Sequence, residues 1–210
     1  MRQRRMRDII CFCQGTRIAT PGGAVPVGQL RQGDLVLTRD NGPQPVLWRA
    51  SSAVRGQGAA APVTIRAGML GAERDLMVSA AHRILLDHDG VAERFDEPEI
   101  LFPAKGLIDD DVIFQREVSE VRYYHLLLER HEVLRANGVW CESLRLGDHL
   151  PETMGPLALR DFRRTVGIDM PGKPVFEGAR RLVKIGGGRG VRRLYGLGPP
   201  NEGLKLRVAS

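Results

Sequence analysis

The 210-residue sequence lacks three features that would assign it to a specialised class of protein. It has three cysteines, an odd number that argues against a disulfide framework and favours free thiols. Its first ten residues contain no apolar run long enough for a signal peptide. No later segment approaches the roughly 20 apolar residues of a membrane span. These absences predict a soluble protein, cytoplasmic by default, with leaderless secretion as the alternative.

Positive charge is also scarce in the middle of the chain, although the formal net charge is +6. Residues 151–210 hold twelve Lys and Arg against five Asp and Glu, and residues 1–10 hold four Arg against Asp8. The remaining residues, 11–150, are therefore near −4. This distribution gives no support to a nucleic-acid-binding face on the body. We predict a short basic flank at 1–10, one domain at 11–150, and a loosely ordered basic tail containing Gly and Pro at 151–210.

The apolar residues of the body come in short runs broken by Gly, Pro, Asn-Gly and Asp-Gly, a pattern typical of many short strands. Because helical periodicity is scarce, we predict an all-β body. The predicted strands are Thr16–Ala19, Leu35–Thr38, Pro45–Trp48, Val63–Arg66, Leu76–Val78, Ile84–Leu86, Val121–Leu128 and Val139–Cys141. Turns are predicted at Pro21-Gly22-Gly23, Asn41-Gly42 and Asp89-Gly90, and a surface loop at 51–61. Val121–Leu128 alternates apolar residues on both faces and should be covered on both sides.

Three stretches combine cysteine, histidine and hydroxyl residues in an ordered series. They read CFCQGTRIATPGG at 11–23, LMVSAAHRILL at 76–86 and YYHLLLERHEVLRANGVWCES at 123–143. Together they resemble the Hint (Hedgehog/intein) superfamily of self-cleaving modules, in particular bacterial stand-alone Hint domains, over about 11–150. The resemblance implies a disc-shaped, all-β horseshoe with pseudo-twofold symmetry. Its two halves exchange long hairpins, so that both ends of the module meet at one site.

The resemblance makes Cys11, four residues before Gly15, the nucleophile. Its thiol would attack the carbonyl of Ile10 and convert the Ile10–Cys11 peptide bond to a thioester by an N-to-S acyl shift. Water or a small nucleophile would then release the N-terminal segment. The alternative for Cys11 is an inert, buried thiol, since free cysteine often behaves as a small core residue. Cys13 is expected to be a spectator.

Two further blocks supply candidate acid-base residues. Ser79-Ala80-Ala81-His82 resembles the Thr-x-x-His block, with serine in place of threonine. His82 would hold the scissile nitrogen and protonate it as the amine leaves, or would be a structural histidine bonded to a backbone carbonyl. His125 lies where inteins usually have aspartate, in Tyr-Asp-Leu. It could deprotonate Cys11 or stabilise the oxyanion, and a core histidine with a satisfied partner is an equal alternative.

The last block ends with Glu142-Ser143, where splicing inteins have His-Asn. Without asparagine there is no succinimide route to C-terminal cleavage, so full splicing is not expected. Asn137-Gly138, just before it, predicts a tight hairpin turn. Thr16 and His131 are expected to support the site as hydrogen-bonded residues and not to react.

The sequence therefore predicts single-turnover, cysteine-dependent self-cleavage that acts on the chain's own N-terminal flank and needs no cofactor. The cysteines and histidines match neither Cys-x-x-Cys nor His-Glu-x-x-His spacing, so no metal site is expected. Ten residues before Cys11 would be a small passenger. Either the precursor starts further upstream, or the passenger has been lost. The competing hypothesis is a catalytically inert Hint fold that acts as a binding or structural module.

Overall fold

A computed structural model describes residues 10–145, 156–166, 177–188 and 190–199. In these ranges strands predominate, and the prediction of an all-β fold is confirmed. The strands are β1 Phe12–Cys13, β2 Arg17–Thr20, β3 Gly23–Pro26, β4 Leu35–Leu37, β5 Pro43–Pro45, β6 Trp48–Gly56, β7 Val63–Ile65, β8 Leu76–Val78, β9 Arg83–Leu86, β10 Ile100–Pro103, β11 Ile113–Gln115, β12 Val118–Leu127, β13 Val133–Ala136, β14 Val139–Glu142 and β15 Arg181–Leu182. The α-helices are α1 Asp89–Phe95, α2 Pro156–Val166 and α3 Val191–Leu194, and short 3-10 turns cover Gly58–Ala60, Met69–Gly71, Ala104–Gly106 and Ile185–Gly188.

The described strands form two large sheets and one small one. The first large sheet has the order β11-β7-β8-β1-β12-β6, and the second has the order β15-β10-β9-β14-β13-β2-β3. Strands β4 and β5 pair separately. The main hydrophobic core joins side chains from both large sheets, including Phe12 and Leu126 from the first and Ile84 and Ile100 from the second. Burying these apolar faces against each other is what holds the two sheets together.

Strand β12 lies beside the start of the body, next to Cys11. From Tyr123 onward it is buried on both faces, as predicted: Tyr124 and Leu126 join the main core, while Tyr123 and Leu127 lie in two smaller clusters on the other face. The β1 strand pairs antiparallel with β12, with Phe12 opposite Tyr124. Continued by one residue, this register places Cys11 opposite His125.

Most predicted strands agree with the structure to within one residue at each end, including Leu76–Val78 and Val139–Cys141. The loop predicted at 51–61 is wrong, because β6 extends from Trp48 to Gly56 and pairs with β12 along its length. Strand β6 lies at the edge of its sheet, where small and polar residues can face solvent without breaking the ladder. The strand predicted at Pro45–Trp48 is likewise corrected, since β5 ends at Pro45 and β6 begins at Trp48.

The turn predicted at Asp89-Gly90 is also wrong, because these residues open helix α1. The His88 side chain caps this helix by accepting a hydrogen bond from the Gly90 N–H. Val91 and Phe95, four residues apart, are buried on one face of the helix. The helical spacing of this apolar pair outweighs the turn propensity of Asp-Gly.

Three described parts of 151–210 pack against the body. Helix α2 lies against β6, β15 pairs parallel with β10, and α3 lies beside α1. Phe162, Val183, Val191 and Leu197 are buried and anchor these elements. A few apolar residues among many Gly, Pro and Arg are therefore enough to dock the segment. None of the helices in the described ranges is long and apolar enough to cross a membrane.

Candidate active site

Cys11 is fully buried immediately before β1, within the sheet that also contains β8 and β12. Its side chain packs with Cys13, Val121 and Tyr123. On one side the turn after β8 supplies Ser79, and on the other β12 supplies His125. The pairing of β1 between β8 and β12 is what brings these two distant segments to one residue.

The peptide group between Ile10 and Cys11 is contacted at both ends. The Cys11 N–H donates to Ser79 Oγ over 3.0 Å, and the Ser79 N–H donates to the Cys11 carbonyl oxygen over 3.0 Å. The Ile10 carbonyl oxygen lies 3.0 Å from Nδ1 of His125. Because a carbonyl oxygen can only accept a hydrogen bond, this contact assigns the proton of the neutral imidazole to Nδ1 and leaves Nε2 as an acceptor.

The thiol of Cys11 lies beside the same imidazole. Its Sγ is 3.5 Å from Nδ1 and 3.6 Å from Nε2 of His125. Burial, with a smaller contribution from Cys13, raises the pKa of the Cys11 thiol well above its usual range. Burial lowers the pKa of His125 to about 4, although its hydrogen bond to Ile10 opposes this shift. Near pH 7 the pair is therefore a neutral thiol and a neutral imidazole, so any attack requires proton transfer in the same step.

His82 follows in the same turn, where its N–H donates to the Ser79 carbonyl oxygen over 3.0 Å. Its ring is fully buried, and its centroid lies 4.4 Å from that of Phe12. Burial lowers the pKa of His82 to about 4, while the charge of Glu142 and backbone groups of Cys11 and Glu142 act in the opposite direction. By hydrogen-bond geometry neither ring nitrogen has a partner among the described residues, although the backbone of Cys11 and Glu142 lies close enough to the ring to raise its pKa. The scissile N–H is thus bonded to Ser79 and not to His82, which differs from the arrangement expected from the sequence.

Of Thr16, Cys13 and Cys141, only Cys13 packs in the same apolar cluster as Cys11. Thr16 is buried in the turn between β1 and β2, directly after Gly15, which adopts a φ of +91°. Its hydroxyl lies 3.5 Å from the Met77 carbonyl oxygen. Cys13 is buried, and burial raises the pKa of its thiol. Cys141 is part of the main core, with Sγ 3.7 Å from a carbonyl of its own strand.

Glu142, close to His82, is the centre of a second buried polar group. Its carboxylate accepts from the Arg83 backbone N–H at 2.9 Å and lies 3.2 Å from Nε2 of His131. The Ala179 N–H donates to Nδ1 of His131 over 3.0 Å, so the proton of the neutral ring lies on Nε2 and points at Glu142. Burial works to raise the pKa of Glu142, but the His131 hydrogen bond and the Arg83 charge lower it overall.

Ser143 is hydrogen-bonded to the backbone of Glu132, in the connection between β12 and β13. Its Oγ accepts from the Glu132 N–H at 2.9 Å, and its own N–H donates to the Glu132 carbonyl oxygen at 2.8 Å. The next residue, Leu144, donates its N–H to Leu126 in β12 over 2.7 Å. Leu144 and Ile10 lie in or against the same apolar cluster, so the two ends of the body meet beside β12.

Sequence reasoning missed Trp48 and helix α2, both of which lie close to His125. The Trp48 ring stacks against the His125 imidazole with centroids 6.4 Å apart and planes inclined by 21°. Phe162 of α2 meets Trp48 edge-on at 5.1 Å. The available signal was the helical spacing of Leu159, Phe162 and Val166 in an otherwise basic segment.

In the part of the chain that the structure describes, no group of three or more His, Cys, Asp and Glu side chains is arranged to hold a metal ion. The functional groups at the Ile10–Cys11 bond are a thiol, a hydroxyl and an imidazole. These groups are suited to nucleophilic attack on the peptide bond with a proton transfer.

Comparison with known proteins matches residues 10–148 to a family model described as Hint domain. No curated protein gives a significant match. Among solved structures, the MchDnaB-1 intein is 15% identical with a TM-score of 0.43, covering 63% of this chain and 99% of the intein chain. A bacterial intein-like domain from Clostridium thermocellum is 12% identical with a TM-score of 0.48, covering 65% of this chain and 100% of that chain.

Proposed function

Since the chain belongs to the Hint domain family, a family of self-processing modules, we propose that Cys11 attacks the Ile10 carbonyl and exchanges the Ile10–Cys11 peptide bond for a thioester. The observation that carries the proposal is the set of contacts to this one peptide group. Ser79 contacts the nitrogen of the peptide group. His125 contacts the carbonyl oxygen of Ile10 and also the Cys11 thiol that would attack the carbonyl carbon. Holding all the reacting groups together converts a slow acyl transfer into an intramolecular step.

In the first step Sγ of Cys11 adds to the Ile10 carbonyl carbon while its proton passes to Nε2 of His125. The Nδ1–H of the same ring stabilises the negative charge that develops on the Ile10 oxygen. The carbon–nitrogen bond then breaks, and the departing nitrogen gains a proton as the His125 ring gives up the one it accepted. The products are a thioester of Ile10 on sulfur and a free Cys11 amine, so one proton has moved from sulfur to nitrogen.

Ser79 and His82 act on the departing nitrogen in this scheme. The Ser79 hydroxyl already bonds to the Cys11 N–H and can relay a proton to the nitrogen as it becomes an amine. The His82 ring has no hydrogen-bond partner among the described residues while the peptide bond is intact. A hydrogen bond from His82 that forms only as the nitrogen leaves would stabilise the transition state more than the ground state and so increase the rate.

Release of the N-terminal segment is completed by water or a small nucleophile attacking the thioester. We propose that the reaction stops there, without splicing. Ser143 has no side-chain amide to cyclise on its own carbonyl, and its hydroxyl is bonded to Glu132. Glu142 is held by Arg83 and His131, and as a carboxylate it does not replace the histidine of splicing inteins.

One observation favours the alternative of an inert Hint fold. Cys11 is completely buried, and burial raises its pKa well above the usual range, so free thiolate is rare near pH 7. A buried, unreactive thiol would fit a domain that keeps the fold for binding or structure. The neutral acceptor nitrogen of His125 at 3.6 Å is what makes attack by the thiol feasible without prior ionisation.

The test is release of a reporter protein fused ahead of Met1 in the full chain, during incubation with a small thiol. We expect the parent to release the reporter with a C-terminus at Ile10, as measured by mass, and Cys11→Ala to release none. Cys13→Ala is the matched control, because Cys13 is also buried and lies only two residues away. It should retain most of the activity, as should Cys141→Ala.

The controls separate chemistry from folding. Equal loss in all three cysteine variants would indicate a folding or metal-binding role and contradict the proposal. A folded parent that keeps its reporter after prolonged incubation with thiol would favour the inert module instead. Circular dichroism of each variant establishes that the fold is retained.

A further inference from the structure

The side chain that precedes the scissile bond rests against an apolar cluster formed by Trp48, Leu127, Leu144 and Phe162. We propose that this cluster is a binding subsite for the residue before Cys11, and that it selects an apolar side chain at that position. We call it the acyl-side subsite, because its occupant becomes the acyl group of the thioester. The inference rests on the proposed function, since it concerns the specificity of the same cleavage.

The acyl-side subsite is assembled from four separate parts of the chain. Trp48 begins β6, Leu127 ends β12, Leu144 follows β14, and Phe162 lies in α2. All four side chains are at most 3% exposed, and Ile10 packs against them as a partly buried residue. A concave apolar surface that holds one substrate side chain has the properties of a binding pocket.

Helix α2 forms one wall of the subsite and is held there by specific contacts. The Trp48 indole N–H donates to Asp161 over 3.0 Å, and the Phe162 ring meets the Trp48 ring edge-on at 5.1 Å. Trp48 in turn stacks against His125, whose Nδ1 contacts the Ile10 carbonyl oxygen. The groups that hold the Ile10 side chain therefore adjoin the group that holds its carbonyl.

This arrangement gives the subsite a role in positioning the reaction. An apolar side chain in the cluster fixes the acyl group relative to Sγ of Cys11, and its burial favours that position. A polar side chain would lose water there. The Asp161 carboxylate, which contacts Trp48 of the subsite, is also bonded to Arg164. A hydroxyl would then gain too little to offset its desolvation, and cleavage would slow.

The test replaces Ile10 by two residues of nearly equal shape, in the full chain that carries the reporter before Met1. Ile10→Val and Ile10→Thr give side chains of similar size with the same branching at Cβ, so they differ chiefly in polarity. We expect release from Ile10→Val to be about fivefold faster than from Ile10→Thr. This factor is toward the lower end of the cost of burying a hydroxyl without a hydrogen bond, because position 10 is only half-buried. Equal rates for the two variants would overturn the subsite.

A second comparison tests whether α2 supplies the selectivity. Removing the ring in Phe162→Ala should reduce the rate ratio between Ile10→Val and Ile10→Thr to below about twofold, because both positions belong to the same apolar cluster and should be energetically coupled. A purely structural role of Phe162 would lower both rates and leave the ratio unchanged. Phe162→Leu keeps an apolar wall and should preserve the ratio. Arg163→Ala, on an exposed residue of the same helix, is the matched control.

The outcomes also separate this inference from the proposed function. A folded parent that releases no reporter would overturn the proposed function, and with it the subsite as a determinant of specificity. A parent that cleaves with Cys11 but ignores the polarity of position 10 would overturn the subsite alone. If Phe162→Ala does not fold, the comparison of Ile10→Val with Ile10→Thr in the otherwise unsubstituted chain still tests whether the subsite selects an apolar side chain.

Discussion

Substitution of His125 separates the two contacts that this residue makes with the reacting groups. Its Nδ1 lies 3.0 Å from the Ile10 oxygen, and its Nε2 lies 3.6 Å from Sγ of Cys11. His125→Asn keeps a side-chain N–H close to the position of Nδ1 but removes the base, whereas His125→Ala removes both. Losing a positioned base costs about 10²–10⁴ in rate. Losing one oxyanion donor costs about 10²–10³.

We therefore expect His125→Asn to release the reporter about 10²–10⁴-fold more slowly than the parent, and His125→Ala to be slower still. The two factors should not multiply fully, because both contacts act on the same transition state. The rates are measured from the time course of reporter release at saturating thiol, with circular dichroism as the check on folding. Folded His125 variants that cleave as fast as the parent would refute this mechanism.

The pH dependence of the rate tests the same residue without mutation. Burial lowers the pKa of His125 to about 4, so the ring is neutral and can accept a proton throughout the range from pH 6 to pH 8. We expect a level rate across that range and a fall near pH 4, where the ring becomes protonated. A tenfold rise per pH unit between pH 6 and 8 would instead indicate attack by free thiolate of Cys11.

Four other outcomes are expected. His82→Ala should slow release by about 10²–10⁴-fold, and an unchanged rate in a folded variant would remove this residue from the mechanism. Burial lowers the pKa of both His82 and His125 from 6.5 to about 4, so between these pH values the unfolded chain binds more protons than the folded chain. The free energy of unfolding, measured by urea titration, should therefore fall by about 2 kcal/mol per histidine from pH 7 to pH 5. Gly138→Ala should destabilise the fold more than the matched Gly15→Ala, since both glycines have positive φ but only a Cβ at Gly138 would clash with another residue, at the Gly71 carbonyl oxygen; equal losses in thermal unfolding would contradict this. A second reporter placed after the chain should stay attached because Ser143 replaces asparagine, and a ligated product of the two reporters, detected by mass, would contradict cleavage without splicing.

Strand periodicity and turn residues were enough to predict the all-β fold. Asn137 and Gly138 both have positive φ, so the hairpin expected from Asn-Gly is confirmed by the backbone itself. The alternation in β12 correctly indicated burial on both faces, since both faces pack against apolar clusters. These features are local, and their physical cause lies within a few residues of sequence.

The errors arose where tertiary contacts override local propensity. The polar residues of β6 gave no strand signal because an edge strand needs few apolar side chains. The docking of α2 depends on a single buried ring, Phe162, meeting Trp48 from more than a hundred residues away. Local composition cannot report such a partner.

The candidate site was predicted only in part. Cys11, Ser79 and His125 do lie together, as the motifs suggested. The bonding of the scissile N–H to Ser79, and the lack of a partner of hydrogen-bond geometry for His82 among the described residues, depend on how the side chains are placed. That placement follows from the packing of Phe12 against His82 and from the turn after β8, which motif spacing does not specify.

Hydroxylamine trapping of the thioester in the parent fusion tests the central claim most directly, because this nucleophile attacks a thioester far faster than an amide. We predict a released reporter that ends in the hydroxamate of Ile10 and a remaining chain that begins at Cys11, both identified by mass, with no release from Cys11→Ala. An intact parent fusion that remains folded under hydroxylamine would contradict thioester formation at this bond.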